Sequence, residues 1–100
     1  MGFRINYSKV MSQASSIENN ALELSTQIKL LEQIEKECNA VWKGEAANAF
    51  IAKLNILQSE MRTTQYQMQN LVGTIRYCAN RIQCEDERAA ERAANLSSGH

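Results

Sequence analysis

The sequence predicts an all-α fold: an antiparallel helix-turn-helix hairpin that assembles with a second hairpin into a four-helix bundle dimer. Apolar residues recur every three or four positions from Val10 to Val41, and again from Phe50 to Ile82. The chain contains no proline, and Trp-Lys-Gly at positions 42–44 separates the two periodic segments. Each segment also has more apolar residues than one neighbouring helix can cover, which indicates assembly with another chain.

The first helix is predicted over residues 8–41, after an irregular lead over residues 1–7. Asn6 or Ser8 can cap this helix, because a side-chain oxygen satisfies the free N–H groups of the first turn. The steps between its apolar residues are nearly those of a heptad repeat, which turns one face towards a partner. The predicted apolar stripe is Val10, Ala14, Ile17, Ala21, Leu24, Ile28, Leu31, Ile34, Cys38 and Val41.

The corner between the helices is predicted at Trp42, Lys43 and Gly44. Gly44 tolerates the positive φ that a tight helix-to-helix turn needs, and Trp42 can cover the end of the hairpin. The next helix is predicted to begin near Glu45, because a carboxylate is favourable at a helix N-terminus.

The second helix is predicted over residues 45–90, with apolar residues in alternating steps of four and three. The stripe is Phe50, Leu54, Leu57, Met61, Thr64, Met68, Leu71, Ile75, Cys78 and Ile82. Five other apolar or aromatic residues are expected off the stripe and indicate a second buried face: Ile51, Ile56, Tyr66, Val72 and Tyr77. Gly73 lies within this helix and is expected to destabilise it by about 1 kcal/mol relative to Ala. Either another backbone approaches closely at this position or the glycine is simply tolerated.

The two stripes predict which residues form the core and the dimer contact. This set is Ile17, Leu24, Ile28, Leu31, Leu54, Leu57, Met61, Met68, Leu71 and Ile75. Residues 85–94 contain strong helix formers without an apolar stripe, so they can continue as an exposed helix, fray, or order on a partner. Residues 91–100 are predicted to be a flexible tail.

Composition and charge exclude several classes of function. The 11 basic and 11 acidic residues balance, so no net field favours nucleic acid or an anionic membrane. No apolar run approaches the roughly 20 residues of a membrane span, and no signal peptide is visible. The single histidine, His100, has no nucleophile placed beside it, so neither an enzyme nor a cofactor is expected.

The three cysteines have no metal-ligand spacing. Cys38 lies by the corner and Cys78 near the far end of the hairpin, so a bridge between them within one chain is excluded. Both fall on the predicted stripes, where a free cysteine packs as a small hydrophobic residue. Cys84 lies off the predicted stripe, and it is either a reactive thiol or a residue without a specific role.

The stretch from Val41 to Phe50 resembles the corner of the WXG-motif family, the ESAT-like small substrates of type VII secretion systems. Trp42 and Gly44 stand between two long amphipathic helices, small residues follow the glycine, and Phe50 lies six positions beyond it. The resemblance covers roughly residues 5–90. It implies synthesis in the bacterial cytoplasm, export without a cleaved signal peptide, and a homodimer or a heterodimer with another WXG-type helical protein.

The resemblance also implies a secretion ATPase as a partner, which reads a C-terminal signal together with the Trp corner of the partner chain. That signal is typically Tyr-x-x-x-Asp/Glu. Here Ile82 stands where the tyrosine is expected, with Asp86 four positions later, and Tyr77 is followed by Arg81 instead of an acid. Trp42, Gly44 and Phe50 are thus the candidate recognition motif, and Ile82 and Asp86 a candidate degenerate export signal.

Three functions are compatible with these observations. The first is a small secreted or co-secreted type VII substrate that works through dimerisation and helix–helix recognition. The second is an intracellular adaptor that binds the helical N-terminal region of a larger type VII toxin. The third, a membrane-active hairpin, is disfavoured because surface-seeking helices favour a basic polar face.

Overall fold

Two antiparallel helices joined by a short turn form the fold. The computed structural model describes residues 6–98, with side chains over residues 6–96. Helix α1 spans Tyr7–Val41 and helix α2 spans Glu45–Ser98. The molecule measures 85 × 15 × 13 Å, and α2 accounts for most of that length at about 1.5 Å per residue. The predicted all-α hairpin is confirmed.

Helix α1 begins at a capped N-terminus. Asn6 has extended backbone angles, and its side-chain oxygen accepts a hydrogen bond of 3.0 Å from the N–H of Lys9. This confirms Asn6 as the cap, because its oxygen satisfies an N–H group that has no partner within the helix. Tyr7 is the first helical residue, one position earlier than predicted. Residues 1–5 of the predicted lead lie outside the described residues.

The turn reverses the chain within three residues. Trp42 leaves the helical conformation, and its N–H donates to the carbonyl of Cys38 at 2.8 Å. Gly44 has a φ of +111°, which a residue with a Cβ rarely adopts. The Gly44 carbonyl then accepts from the N–H of Asn48 at 3.0 Å and starts α2 at Glu45. The predicted corner and the predicted start of α2 are therefore confirmed.

Helix α2 is longer than predicted, because it continues past position 90 to Ser98. The residues over 85–94 are strong helix formers, and Glu85 and Arg88 form an ion pair of 3.6 Å along this segment. The hydroxyl of Tyr7 donates to the side-chain oxygen of Asn80. Because α1 begins at that level, the last turns of α2 extend beyond the paired part of the hairpin.

The contact stripe between the helices is built largely from small residues. Its buried members are Ala14, Ala21, Ile28, Ala47, Leu54, Gln58, Val72 and Ala79. Alanines at these positions let the two backbones approach closely, because no long side chain keeps them apart.

The predicted stripe of α2 needs a correction of one position at alternate steps. Leu57 and Leu71, predicted for the core, are 44% and 49% exposed, whereas their neighbours Gln58 and Val72 are buried. Both patterns have steps of four and three through Leu54, so periodicity does not separate them. The contact with α1 runs through Gln58 and Val72, and Val72 therefore lies on the stripe from which it was excluded.

Candidate functional site: the aromatic corner and the open edge

An aromatic corner, formed by Val41, Trp42 and Phe50, lies at the closed end of the hairpin. The rings of Trp42 and Phe50 are 5.6 Å apart between centroids and tilted by 48°, a favourable arrangement for two aromatic rings. Trp42 nevertheless remains 43% exposed, and Val41 is more exposed still. The corner therefore anchors one part of the indole and presents the rest to solvent.

One long edge of the hairpin, the polar edge, is closed by Glu18 and Glu32 of α1 with Arg76 and Arg62 of α2. Arg76 donates to both carboxylate oxygens of Glu18 at 3.1 Å, and Arg62 donates to Glu32 at 2.7 Å. The hydrogen bond and the positive charge of Arg76 lower the pKa of Glu18 below its ordinary value of 4.5. These pairs, which the sequence analysis did not identify, fix how far one helix slides along the other.

Gln58 places a polar group inside the contact stripe. It is 4% exposed, and its side-chain N–H donates to a carboxylate oxygen of Glu35 at 3.3 Å. A buried amide without a partner would be destabilising, so this bond makes Gln58 acceptable in the stripe. The hydrogen bond also disfavours any sliding of α2 along α1 that would separate Gln58 from Glu35.

The opposite long edge, the open edge, is apolar and uncovered. Arg62 and Arg76 each follow a leucine, Leu57 or Leu71, by five residues. Five residues turn a helix by about 140° beyond a full turn, so the leucines and the arginines lie on opposite sides of the contact stripe. The leucines are exposed, whereas the arginines form ion pairs with α1.

Both helices contribute to the open edge. Phe50 continues the row of leucines towards the corner, since it precedes Leu57 by seven residues, two helical turns. Half-buried apolar residues of both helices lie along it: Ile17, Leu24, Leu31, Cys38, Met61, Met68 and Ile75. Together they form a continuous apolar surface that fits the apolar face of another helix.

The candidate export signal has a different setting. Ile82 and Asp86 are both half-buried, four positions apart on one face of α2. They follow Ala79 on the contact stripe, near the level at which Tyr7 bonds to Asn80. Ile82 follows Ile75 by seven residues and so extends the open edge, whereas Asp86 follows Ala79 by seven and lies beyond the level at which α1 begins.

Cys38 and Cys78 were predicted to pack on the stripes, and the prediction is wrong for Cys78, because the contact stripe runs through its neighbour Ala79. Cys38 is half-buried, but Cys78 and Cys84 are exposed, and all three are free thiols. Among the described residues, no cluster of three or more His, Cys, Asp or Glu could hold a metal ion. Neither helix, over its described length, is long and apolar enough to span a bilayer.

Comparison with known proteins identifies one family. The family WXG100, described as proteins of 100 residues with WXG, matches residues 2–87. This range includes the turn, the aromatic corner and most of both helices. Searches of curated proteins and of solved structures found no match.

Proposed function

Because this chain belongs to the WXG100 family, we propose that it is a secreted or co-secreted substrate of a type VII secretion system. Proteins of this family are small helical proteins, secreted through type VII systems without signal peptides. They generally form dimers with partner WXG proteins. The chain has the length, the helical hairpin and the Trp-x-Gly turn of such a protein.

The open edge carries the dimerisation part of the proposal. Exposed leucines and half-buried methionines form an apolar strip that the hairpin does not cover itself. Covering this strip with a second hairpin gives a four-helix bundle with one shared core. The partner is a second copy or another WXG-type chain, since both offer an amphipathic hairpin of matching length.

The aromatic corner carries the recognition part. The positive φ of Gly44 and the contact with Phe50 hold Trp42 at the tip of the hairpin, partly exposed. An exposed aromatic ring held by its neighbours is a common anchor for a protein partner. We assign this anchor to the secretion ATPase, which would read the corner together with the C-terminal segment of the paired chain.

Export from bacteria with an intact type VII locus tests this proposal. We expect the protein in the culture medium, and its retention in the cells when the ATPase gene is deleted. Trp42→Ala should abolish export while far-UV circular dichroism of the purified protein stays unchanged. Leu22→Ala, which removes an exposed apolar side chain elsewhere on α1, is the control and should be exported normally. Retention of the wild type, without a co-exported partner, would contradict the proposal.

A second candidate is an adaptor that stays in the cell and binds the helical N-terminal region of a larger type VII toxin. Ile82 in place of the aromatic residue of the export signal favours this alternative. Capture with a tagged copy from the native bacterium should then return a larger protein, and Leu57→Asp should prevent that capture. Recovery of the tagged protein with only its own copies would count against the adaptor.

A further inference from the structure

A second surface lies on the outer side of α2, away from the open edge and, except at Asn80, which bonds to Tyr7, away from α1. Eight residues recur there in alternating steps of four and three, and none of them is charged. We call this surface the tyrosine face; its residues are Ser59, Thr63, Tyr66, Asn70, Gly73, Tyr77, Asn80 and Cys84. Two residues turn a helix by about 200°, so Gly73 lies nearly opposite Leu71 of the open edge.

The tyrosine face is exposed and unusual for a solvated helix surface. Tyr66 and Tyr77 are 65% and 63% exposed, and a Cβ added at Gly73 would meet no atom within 4 Å. The hairpin therefore does not require glycine at this position, although glycine weakens a helix. A surface that has two tyrosines around a backbone gap, and no charge, suits contact with another protein.

The alternating steps of four and three make the positions of these residues symmetric about the midpoint between Leu71 and Val72, and the two tyrosines form one matched pair. Tyr66 and Tyr77 are equidistant from that point, and so are Asn70 and Gly73, and Ser59 and Cys84. When two copies of a helix pack antiparallel about a two-fold axis, residues equidistant from the axis become neighbours. The gap at Gly73 would then face Asn70 of the second copy, and each Tyr66 would lie beside a Tyr77.

We propose that the tyrosine face binds the same face of a second copy of this chain, antiparallel, about an axis near Asn70 and Gly73. Close approach of the backbones at Gly73 lets the tyrosines on both sides of the axis come into contact. Because this face and the open edge lie on nearly opposite sides of α2, both can be occupied at once. The resulting assembly joins two hairpin pairs through their α2 helices.

The charges beside the face support a second copy as the occupant. Glu60 and Arg81 flank the face on the same side and are nearly equidistant from the axis. Arg81 follows Tyr77 by four residues, as Arg76 follows Val72 in the contact between α1 and α2, where Arg76 pairs with Glu18. The two-fold axis therefore brings Glu60 of each copy near Arg81 of the other, which forms two equivalent ion pairs.

The next charges limit the length of the contact. Lys53 of one copy and Arg88 of the other would repel each other. At 1.5 Å per residue, however, they lie about 26 Å from the axis, beyond the ends of the tyrosine face. Arg88 already pairs with Glu85 at 3.6 Å. The face is therefore expected to end near Ser59 and Cys84.

Charge reversal tests the pairing of the two copies. Glu60→Arg or Arg81→Glu turns both ion pairs into repulsive pairs. We expect either variant to raise the dissociation constant of the contact between tyrosine faces about tenfold. Multi-angle light scattering should then find half as many copies per particle. The double variant E60R/R81E should restore the wild-type assembly to within about threefold in dissociation constant. Lys29→Glu on α1, a matched control, should change nothing. Single reversals that leave the mass unchanged, or a double variant that does not recover, would overturn the proposal.

Two further variants guard against an effect of misfolding and locate the axis. Gly73→Gln introduces a good helix former, so it should raise the melting temperature of the dilute protein yet prevent the pairing; retained pairing would overturn the assignment.

In a Cys38→Ser/Cys78→Ser background, Ser59→Cys faces native Cys84 of the second copy. Oxidation with copper phenanthroline should then crosslink chains in pairs far faster than Lys29→Cys in the same background, and equal rates would exclude the proposed register.

Discussion

Arg76 of α2 holds both carboxylate oxygens of Glu18 in α1 at 3.1 Å, although the two residues are 58 positions apart in the chain. A third hydrogen bond joins the same guanidinium to the hydroxyl of Ser15 at 3.3 Å. Farther along the same edge, Arg62 donates one hydrogen bond of 2.7 Å to Glu32, whereas Arg76 binds Glu18 with two. Planar guanidinium groups favour this two-pronged geometry, so the polar edge sets the register that brings the alanines of both helices together.

The pH dependence of this pair gives the first prediction. Since Arg76 lowers the pKa of Glu18, the ionised carboxylate stabilises the fold above the ordinary pKa, and this contribution is lost as the pH falls through the lowered value. Titration of the Glu18 side chain by NMR should give a pKa below 4.5. Arg76→Gln should return it towards 4.5. An identical titration in both proteins would show that the pair does not form in solution.

The small residues of the contact stripe give the second prediction. Ala21 is fully buried between the helices, and a larger side chain there would push them apart. We expect Ala21→Leu to lower the free energy of unfolding by about 1–3 kcal/mol, the usual effect of overpacking, as measured by urea denaturation. Ala40→Leu, on an exposed part of the same helix, is the control and should change it by less than about 0.5 kcal/mol. Equal effects of the two variants would contradict the assigned stripe.

Comparison of neighbouring residues shows what the sequence could and could not predict. The cap at Asn6 and the turn at Gly44 depend on nearby residues, so local patterns identified them. The choice between Leu57 and Gln58 depends on the other helix, and apolar periodicity alone favours the leucine. Gln58 can be buried because Glu35 accepts its N–H, and this partner on the other helix is not visible along α2.

The recognition residues illustrate the same limit. Trp42 and Phe50 were grouped in one motif from their local spacing, and their rings meet at the corner. Ile82 and Asp86 were singled out through an alignment with a motif, which carries no information about burial. Both residues are half-buried in the hairpin, and the motif alone does not predict that.

The exposed leucines give the third prediction. Leu57→Asp places a charge on the open edge, where it remains solvated in a single hairpin but would be buried in a bundle. We expect helix content to persist at low concentration and the dissociation constant of the bundle to rise by at least about tenfold, measured by sedimentation. Leu22→Asp introduces the same charge on the outer side of α1 and should leave association intact. Loss of helix content in Leu57→Asp alone would show that Leu57 belongs to the core of one chain.

The two described glycines give the fourth prediction, with opposite signs. Gly44 has a φ of +111°, so Gly44→Ala forces a strained backbone and should lower the free energy of unfolding by about 1–3 kcal/mol. Gly73 lies within α2, and an added Cβ would meet no atom within 4 Å. Gly73→Ala should therefore raise that free energy by about 1 kcal/mol. Thermal and urea unfolding at concentrations low enough to separate the copies would measure both, and destabilisation by Gly73→Ala under those conditions would show that α2 is not helical there in the single hairpin.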